Sequence, residues 1–216
     1  MNETRSWWAS PRLWLIVIVL FAGAVRLPNI AWDQNHFFHP DERAVAFSVQ
    51  RLSFRPVQLD PDFFAYGTLP IYLAKIVSST VALVDPMAAS YDGVILTGRR
   101  ISAVLGTLTV LVLILLGTRL YGRPVGFLAG FLLAATALHV QNSRFLTVDV
   151  PLTFFILLSL AALVRVCEEG RTWQFVLAGI CIGFAVATKF SAMPLFLPLA
   201  IAALNRSERR SSRGNT

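Results

Sequence analysis

The chain has 216 residues, 56% hydrophobic and only 14% charged, whereas an ordinary soluble domain carries about a quarter charged residues. That balance speaks against a soluble globular protein. The net charge of +7 does not restore a nucleic-acid-binding reading, because no run interleaves basic and aromatic residues on a polar face.

In chain order, residues 1–12 carry Arg5 and Arg12 ahead of the first apolar block, 13–25 (LWLIVIVLFAGAV). Further blocks lie at 101–118, 125–140, 150–164, 173–187 and 190–204. Each is somewhat short of the roughly 20 residues a bilayer span needs, so flanking Trp, Tyr and Thr and snorkelling Arg complete them. The expected fold class is an all-α polytopic membrane protein of about six spans. Met1 to Ala24 also fits a signal peptide, with Ala22-Gly23-Ala24 as the small-residue site. A retained span is preferred, since the later apolar blocks also belong in a membrane.

Lys and Arg mark the cytoplasmic side. The short turns holding Arg119 and Arg123, then Arg165 and Arg171, alternate correctly with the basic tail 205–216 and with the N-terminus 1–12 when all are placed inside. That puts ten Lys/Arg and four acids inside against nine and eight outside. The orientation places the first loop (31–100), the second outer loop (141–149) and the surroundings of Lys189 outside, within a transmembrane module covering 13–204. Residues 68–84 are apolar enough to cross, but a crossing would reverse every later loop. This stretch is therefore read as an interfacial helix, with Lys75, Ser78 and Ser79 on one face and Leu69, Leu73, Ile76 and Leu83 opposite. A second helical pattern lies near 41–53.

Chemistry-bearing residues cluster at the outer ends. His39-Pro40-Asp41-Glu42-Arg43 sets two carboxylates just past the first span, fit for a general base or for metal ligation, or simply for starting a helix. Asp149 stands at the outer end of a later span, on the same outer face as Asp41, or is simply an N-cap. Arg99, Arg100, Arg144 and Lys189 are cations on the side where cations are scarce, so each calls for a partner, either a phosphate or one of these acids. His36, His39 and Asp41 make a thin metal pattern, and no metal site is assigned although a divalent ion is compatible with the acids. His139 reads as a hydrogen-bonded interfacial His, Cys167 and Cys181 as packing residues, and Trp7, Trp8 and Trp14 as an interfacial belt.

Five motifs in order, FHPDE (38–42), YGTLPIYL (66–73), GRRISAVLG (98–106), SRFLTVDVPLTFF (143–155) and ATKFS (187–191), resemble the N-terminal half of the GT-C fold glycosyltransferases. They are most similar to the polyprenyl-phosphate-sugar-dependent enzymes akin to protein O-mannosyltransferases and the lipid A aminoarabinose transferase. The resemblance covers roughly residues 10–204. It implies a GT-C-like helix bundle with interfacial helices in a long first outer loop. The implied activity is sugar transfer, with inversion at C1, from a polyprenyl-phosphate carrier to a protein, lipid or glycan hydroxyl at the outer face of the plasma membrane. On this resemblance Asp41, with Glu42 beside it, is the catalytic base, Asp149 the second outer-loop acid, and Arg100, Arg144 and Lys189 bind the donor phosphate. Full members carry more spans, so a second membrane chain completing the fold, or a non-catalytic fragment or partner subunit, is the alternative. A transporter is less favoured because nearly all ionisable residues lie at span ends.

Overall fold

The computed structural model describes residues 10–204; the expected cytoplasmic tail 205–216, most of the N-terminus, and Trp7 and Trp8 lie outside the described residues. The described chain is mostly helical: α1 (Pro11–Ala24), α2 (Pro40–Arg51), α3 (Leu69–Val81), α4 (Tyr91–Tyr121), α5 (Arg123–Ala135), α6 (Ala137–Asn142), α7 (Asp149–Glu169) and α8 (Thr172–Thr188). Phe190–Leu195 continues as a 3-10 turn into a helix over 196–204. A two-stranded antiparallel hairpin, β1 (Ser53–Phe54) and β2 (Val57–Gln58), is a small exception to the all-α expectation.

Two of these helices, α4 and α7, are long and apolar enough to cross a membrane. The 31 residues of α4 reach about 46 Å at 1.5 Å per residue. The span expected at 101–118 is thus the inner part of a longer helix that starts at Tyr91, inside the expected first loop. Hydropathy sees only its apolar part, because Arg99 and Arg100 interrupt the run.

The block 125–140 is also not one helix. It breaks at Thr136, whose hydroxyl donates back to the Leu132 carbonyl at 2.7 Å. The Leu133 and Ala134 carbonyls at the break are taken up by the Arg26 guanidinium at 3.2 Å each, which supplies the donors that the next helical turn no longer offers.

The helices order into two packed groups. Helices α4 and α5 lie against each other so closely that Gly117 meets Gly126, where an added Cβ would sit 2.9 Å from the neighbour's Cα; small residues let membrane helix backbones approach. Ile18 and Ala22 of α1 join Val110, Ile114 and Ala134 in the same cluster. Helices α7 and α8 form the second pair, around Ala162, Leu163, Val166, Ala178 and Ile182. Cys181 is buried as expected, but Cys167 is exposed, so packing does not account for it.

A third cluster caps one end of the bundle. Val45, Ala46 and Val49 of α2 and Ile71 and Ala74 of α3 close on Val94 and Ile95, the first turns of α4. On α3 the buried face is Pro70, Ile71, Ala74 and Ser78, while Ile76 and, just past the helix end, Leu83 point outward. Of the expected polar face only Ser78 is fully buried, while Lys75 and Ser79 stay partly exposed, as do Leu69 and Leu73 on the opposite face. Ser78 turns inward because its hydroxyl bonds locally, to the Lys75 carbonyl at 3.2 Å, which makes a small polar residue cheap to bury.

Candidate active site

Helix α2 begins as its sequence dictates. His39 is the N-cap, its Nδ1 accepting the Asp41 backbone N–H at 3.3 Å, and Pro40 opens the first turn, where its missing N–H costs nothing. Asp41 and Glu42 follow in that turn and then part company. Successive helical residues differ by about 100° in direction, and Glu42 turns fully inward while Asp41 stays half-exposed.

Glu42 is held by Arg99, whose guanidinium is also fully buried. Arg99 Nε and Nη2 grip the two Glu42 oxygens at 2.7 Å each. Its remaining N–H groups go to Asp33 Oδ1 at 3.0 Å, Asp33 Oδ2 at 2.7 Å and the Ile30 carbonyl at 2.9 Å. All five guanidinium donors are thereby used. Trp32 and Phe37 lie within 5.6 and 5.4 Å of the Arg99 carbon, closing the site from water. Glu42 Oε1 also accepts the Leu146 backbone N–H at 2.8 Å, which ties the second outer loop to α2. The hydrogen bonds from Arg99 hold the Asp33 carboxyl below the usual carboxylate range. For Arg99 and Glu42 the ion-pairing alternative is what the structure shows. Sequence reasoning misses Asp33, and no local signal marks it, since its partner Arg99 lies 66 positions away in the chain.

Asp41 faces a different set. The Tyr66 hydroxyl donates to Asp41 Oδ2 at 3.4 Å, and on the other side of the Tyr66 ring stands the Lys189 ammonium, 5.3 Å from its centroid. Lys189 Nζ in turn pairs with Asp149 Oδ1 at 3.2 Å. The Asp41 charge pushes the Tyr66 phenol above its ordinary value, with Asp149 adding to this and Lys189 opposing it. The phenol therefore stays protonated at neutral pH and remains a donor.

One backbone contact sets this arrangement. Gly67 N–H bonds to the Thr188 carbonyl at 3.1 Å, and a Cβ on Gly67 would sit 2.0 Å from the Ala187 carbonyl oxygen. Only glycine permits that approach, and it docks the first outer loop on the end of α8 with Tyr66 against Lys189. Sequence reasoning singles out neither Tyr66 nor Gly67 as a site residue, although both belong to the YGTLPIYL stretch.

Asp149 is the first residue of α7, preceded by Val148, which makes no side-chain cap. The N-cap alternative for Asp149 therefore does not hold, and its carboxylate faces Lys189. Arg144 is elsewhere: Nη2 donates to the Val25 carbonyl at 2.8 Å, and the side chain lines a separate cavity. Arg100 is exposed on α4, beside the buried Arg99 in sequence but outside the Asp41 group. The structure thus brings together Asp41, Asp149 and Lys189, and sets Glu42, Arg144 and Arg100 apart. His139 shares a hydrogen bond with Arg26 at 2.9 Å, as a hydrogen-bonded His should. Among the described residues no three His, Cys, Asp or Glu side chains group as metal ligands; His36 rests on Phe38 rather than beside His39 and Asp41.

A profile of the dolichyl-phosphate-mannose-protein mannosyltransferases matches residues 91–215, more than half of the sequence. The chain belongs to that family. It is accordingly a membrane-bound protein of a glycosyltransferase family. The matched stretch runs from the start of α4 and takes in Arg100, Arg144, Asp149 and Lys189, while Asp41, Glu42 and Tyr66 lie before it. No curated protein and no solved structure matches the chain.

Proposed function

We propose that this mannosyltransferase-family chain transfers a sugar from a polyprenyl-phosphate carrier to an acceptor hydroxyl at the outer face of the plasma membrane, with Asp41 as general base. The observation that carries the reading is the convergence of Asp41, Tyr66, Asp149 and Lys189, from distant segments, at one end of the bundle.

That placement suits the substrate. A carrier phosphate cannot enter hydrocarbon and its tail cannot leave it, so the reaction belongs at a helix end. The half-exposed Asp41 accepts the proton of the acceptor hydroxyl as its oxygen forms a bond to the sugar C1. The bond from C1 to the phosphate oxygen breaks, its electron pair leaves with the phosphate, and attack from the opposite face inverts C1. Lys189 is the point charge that stabilises the departing phosphate. Asp149 orients Lys189 through the 3.2 Å pair, and Tyr66 donates to Asp41, holding its carboxylate toward the same space. Glu42 is a positioning residue in this scheme: both of its oxygens are already taken, and its bond to Leu146 N–H fixes the second outer loop, which leads to Asp149.

The test is release of polyprenyl phosphate from labelled polyprenyl-phosphate sugars by membranes containing the chain. Asp41→Asn should lower release by at least about a hundredfold, the usual scale for a general base, with normal insertion. Full release by Asp41→Asn would remove Asp41 as the base. No release by the wild-type chain from any donor would favour the fragment or partner-subunit alternative.

A further inference from the structure

A cavity of about 700 Å³ lies beside α1, α5 and α6, walled by Phe21, Val25, Ala134, Ala137, Val140 and Arg144, with Trp32 and Phe145 at one side. Its walls are apolar except for Gln141 and Arg144, whose side chain lines the cavity. The Arg144 Nε is buried and has no hydrogen-bond partner, a state that costs free energy unless a ligand supplies an acceptor.

A second cation stands just behind the wall. Arg26 is fully buried; among the described residues it bonds to the Ala22, Leu133 and Ala134 carbonyls and to His139, and its Nε is left unpartnered there. Among the described residues no carboxylate pairs with either arginine. The lining residue Ala134 is itself one of the carbonyls that Arg26 holds. The cavity therefore joins an apolar trough to two uncompensated positive charges.

We infer that this cavity binds an anionic phospholipid of the bilayer, its phosphate on Arg144 and its hydrocarbon along the trough. Phosphate matches the forked guanidinium, and the charge left over at Arg26 and Arg144 selects an anion over a zwitterion. The sides of the cavity toward α1, α5 and α6 are formed by residues with outward exposure, such as Phe21, Ala135 and Ala137, so a lipid reaches it laterally. The reacting carrier is a poorer occupant. Trp32 and Phe145 meet edge to face at 5.7 Å, and Phe145 also packs on His39 at 4.7 Å, the residue that caps Asp41. The cavity wall at Phe145 thus backs onto the residue that caps Asp41, and on this reading the ring is the partition between a phosphate on Arg144 and the base.

The experiment is native mass spectrometry of the purified chain in detergent, titrated separately with phosphatidylglycerol, phosphatidylcholine and polyprenyl phosphate. The wild type should retain phosphatidylglycerol about tenfold more strongly than phosphatidylcholine, and Arg144→Gln should lose that preference, as expected for removing a charge-assisted contact. Because Arg144 also holds Val25, a second variant, Ala137→Trp, fills the trough without touching the arginine, and it too should lose bound phosphatidylglycerol. Asp41→Asn should bind as the wild type does, which separates failure of this site from failure of the catalytic proposal. Equal retention of the two phospholipids, unchanged binding in both cavity variants, or Arg144-dependent retention of polyprenyl phosphate in preference to phosphatidylglycerol would each overturn the inference.

Discussion

Adjacent carboxylates of the same motif have opposite fates, and this separates their mutants. Glu42 is fully buried and shares Arg99 with Asp33. Breaking one arm of a buried ion pair leaves charge uncompensated, a loss of about 3–5 kcal/mol. Glu42→Gln should therefore lower the midpoint of denaturant or thermal unfolding in detergent markedly, while Asp41→Asn, at a half-exposed first-turn position, should cost less than about 1 kcal/mol. Equal stability of the two variants would contradict the strut role of Glu42. Asp33 adds a pH signature. Its carboxyl is depressed below the ordinary Asp value by the Arg99 hydrogen bonds, so the folded state favours the anion. That stabilisation is complete above the unfolded value of about 3.9 and disappears as the pH falls through the lower folded value. Unfolding temperature should fall over this acid window in the wild type and fall less steeply in Asp33→Asn, where no such proton uptake occurs. The start of α2 is legible in sequence because Pro40, Asp41 and Glu42 are all first-turn residues. Which of two neighbouring acids turns inward is not, because that depends on a partner 57 positions away, at Arg99.

At the scale of elements, the apolar blocks locate α1, α5, α7 and α8 but not their ends, since a helix in a membrane protein continues past its apolar part wherever polar side chains find partners. Arg99 lies within α4 because Asp33 and Glu42 receive it there. The reverse holds at Thr136, where an apolar run breaks because Arg26 satisfies the carbonyls of the break. Small residues are legible only as composition, yet they decide how α4 and α5 meet. A Cβ on Gly126 would lie 2.3 Å from Thr118 Oγ1 and 2.5 Å from the Thr118 backbone nitrogen, and backbone cannot move aside without parting the helices. Gly126→Leu should lower the unfolding midpoint strongly, by about 1–3 kcal/mol or more as overpacking does. Gly179→Leu, on α8 with nothing within 4 Å of its added Cβ, should change stability little or raise helicity slightly. A Gly126 variant as stable as the wild type would mean that α4 and α5 do not pack this closely.

For the whole molecule, the charge pattern of the sequence and the geometry agree on which residues share an end, and together they make the orientation measurable. Arg119 at the end of α4 pairs with Glu168 at the end of α7, 49 positions away, so these two helices run the same way. Lys189 at the end of α8 pairs with Asp149 at the start of α7, so α8 returns to the end where Asp41 lies. Among the described residues, Arg119 and Glu168 thus mark one end of these helices and Asp149 and Lys189 the other. Helix α3 is the element on which the orientation turns. Its 13 residues extend about 20 Å, short of the roughly 30 Å hydrocarbon core. It packs with α2 on the first turns of α4 rather than along that helix. Its outward Ile76, with Leu83, Val84 and Met87 beyond its end, forms an apolar edge suited to the interface. In a background with Cys167 and Cys181 replaced, single cysteines at Asp62, Asp85 and Arg123 can be labelled with a membrane-impermeant maleimide in intact cells. Asp62→Cys and Asp85→Cys, before and after α3, should both react, and Arg123→Cys only once the cells are opened. Reaction at Asp62 but not at Asp85 would make α3 a crossing. Asp41 would then be separated by a bilayer from Lys189 in any arrangement that keeps each later helix a single span. The contacts from Asp41 through Tyr66 to Lys189 instead call for the two residues on one side, so Asp62 and Asp85 should behave alike, and their labelling in intact cells, with Arg123 protected, is the result expected of an outward-facing site.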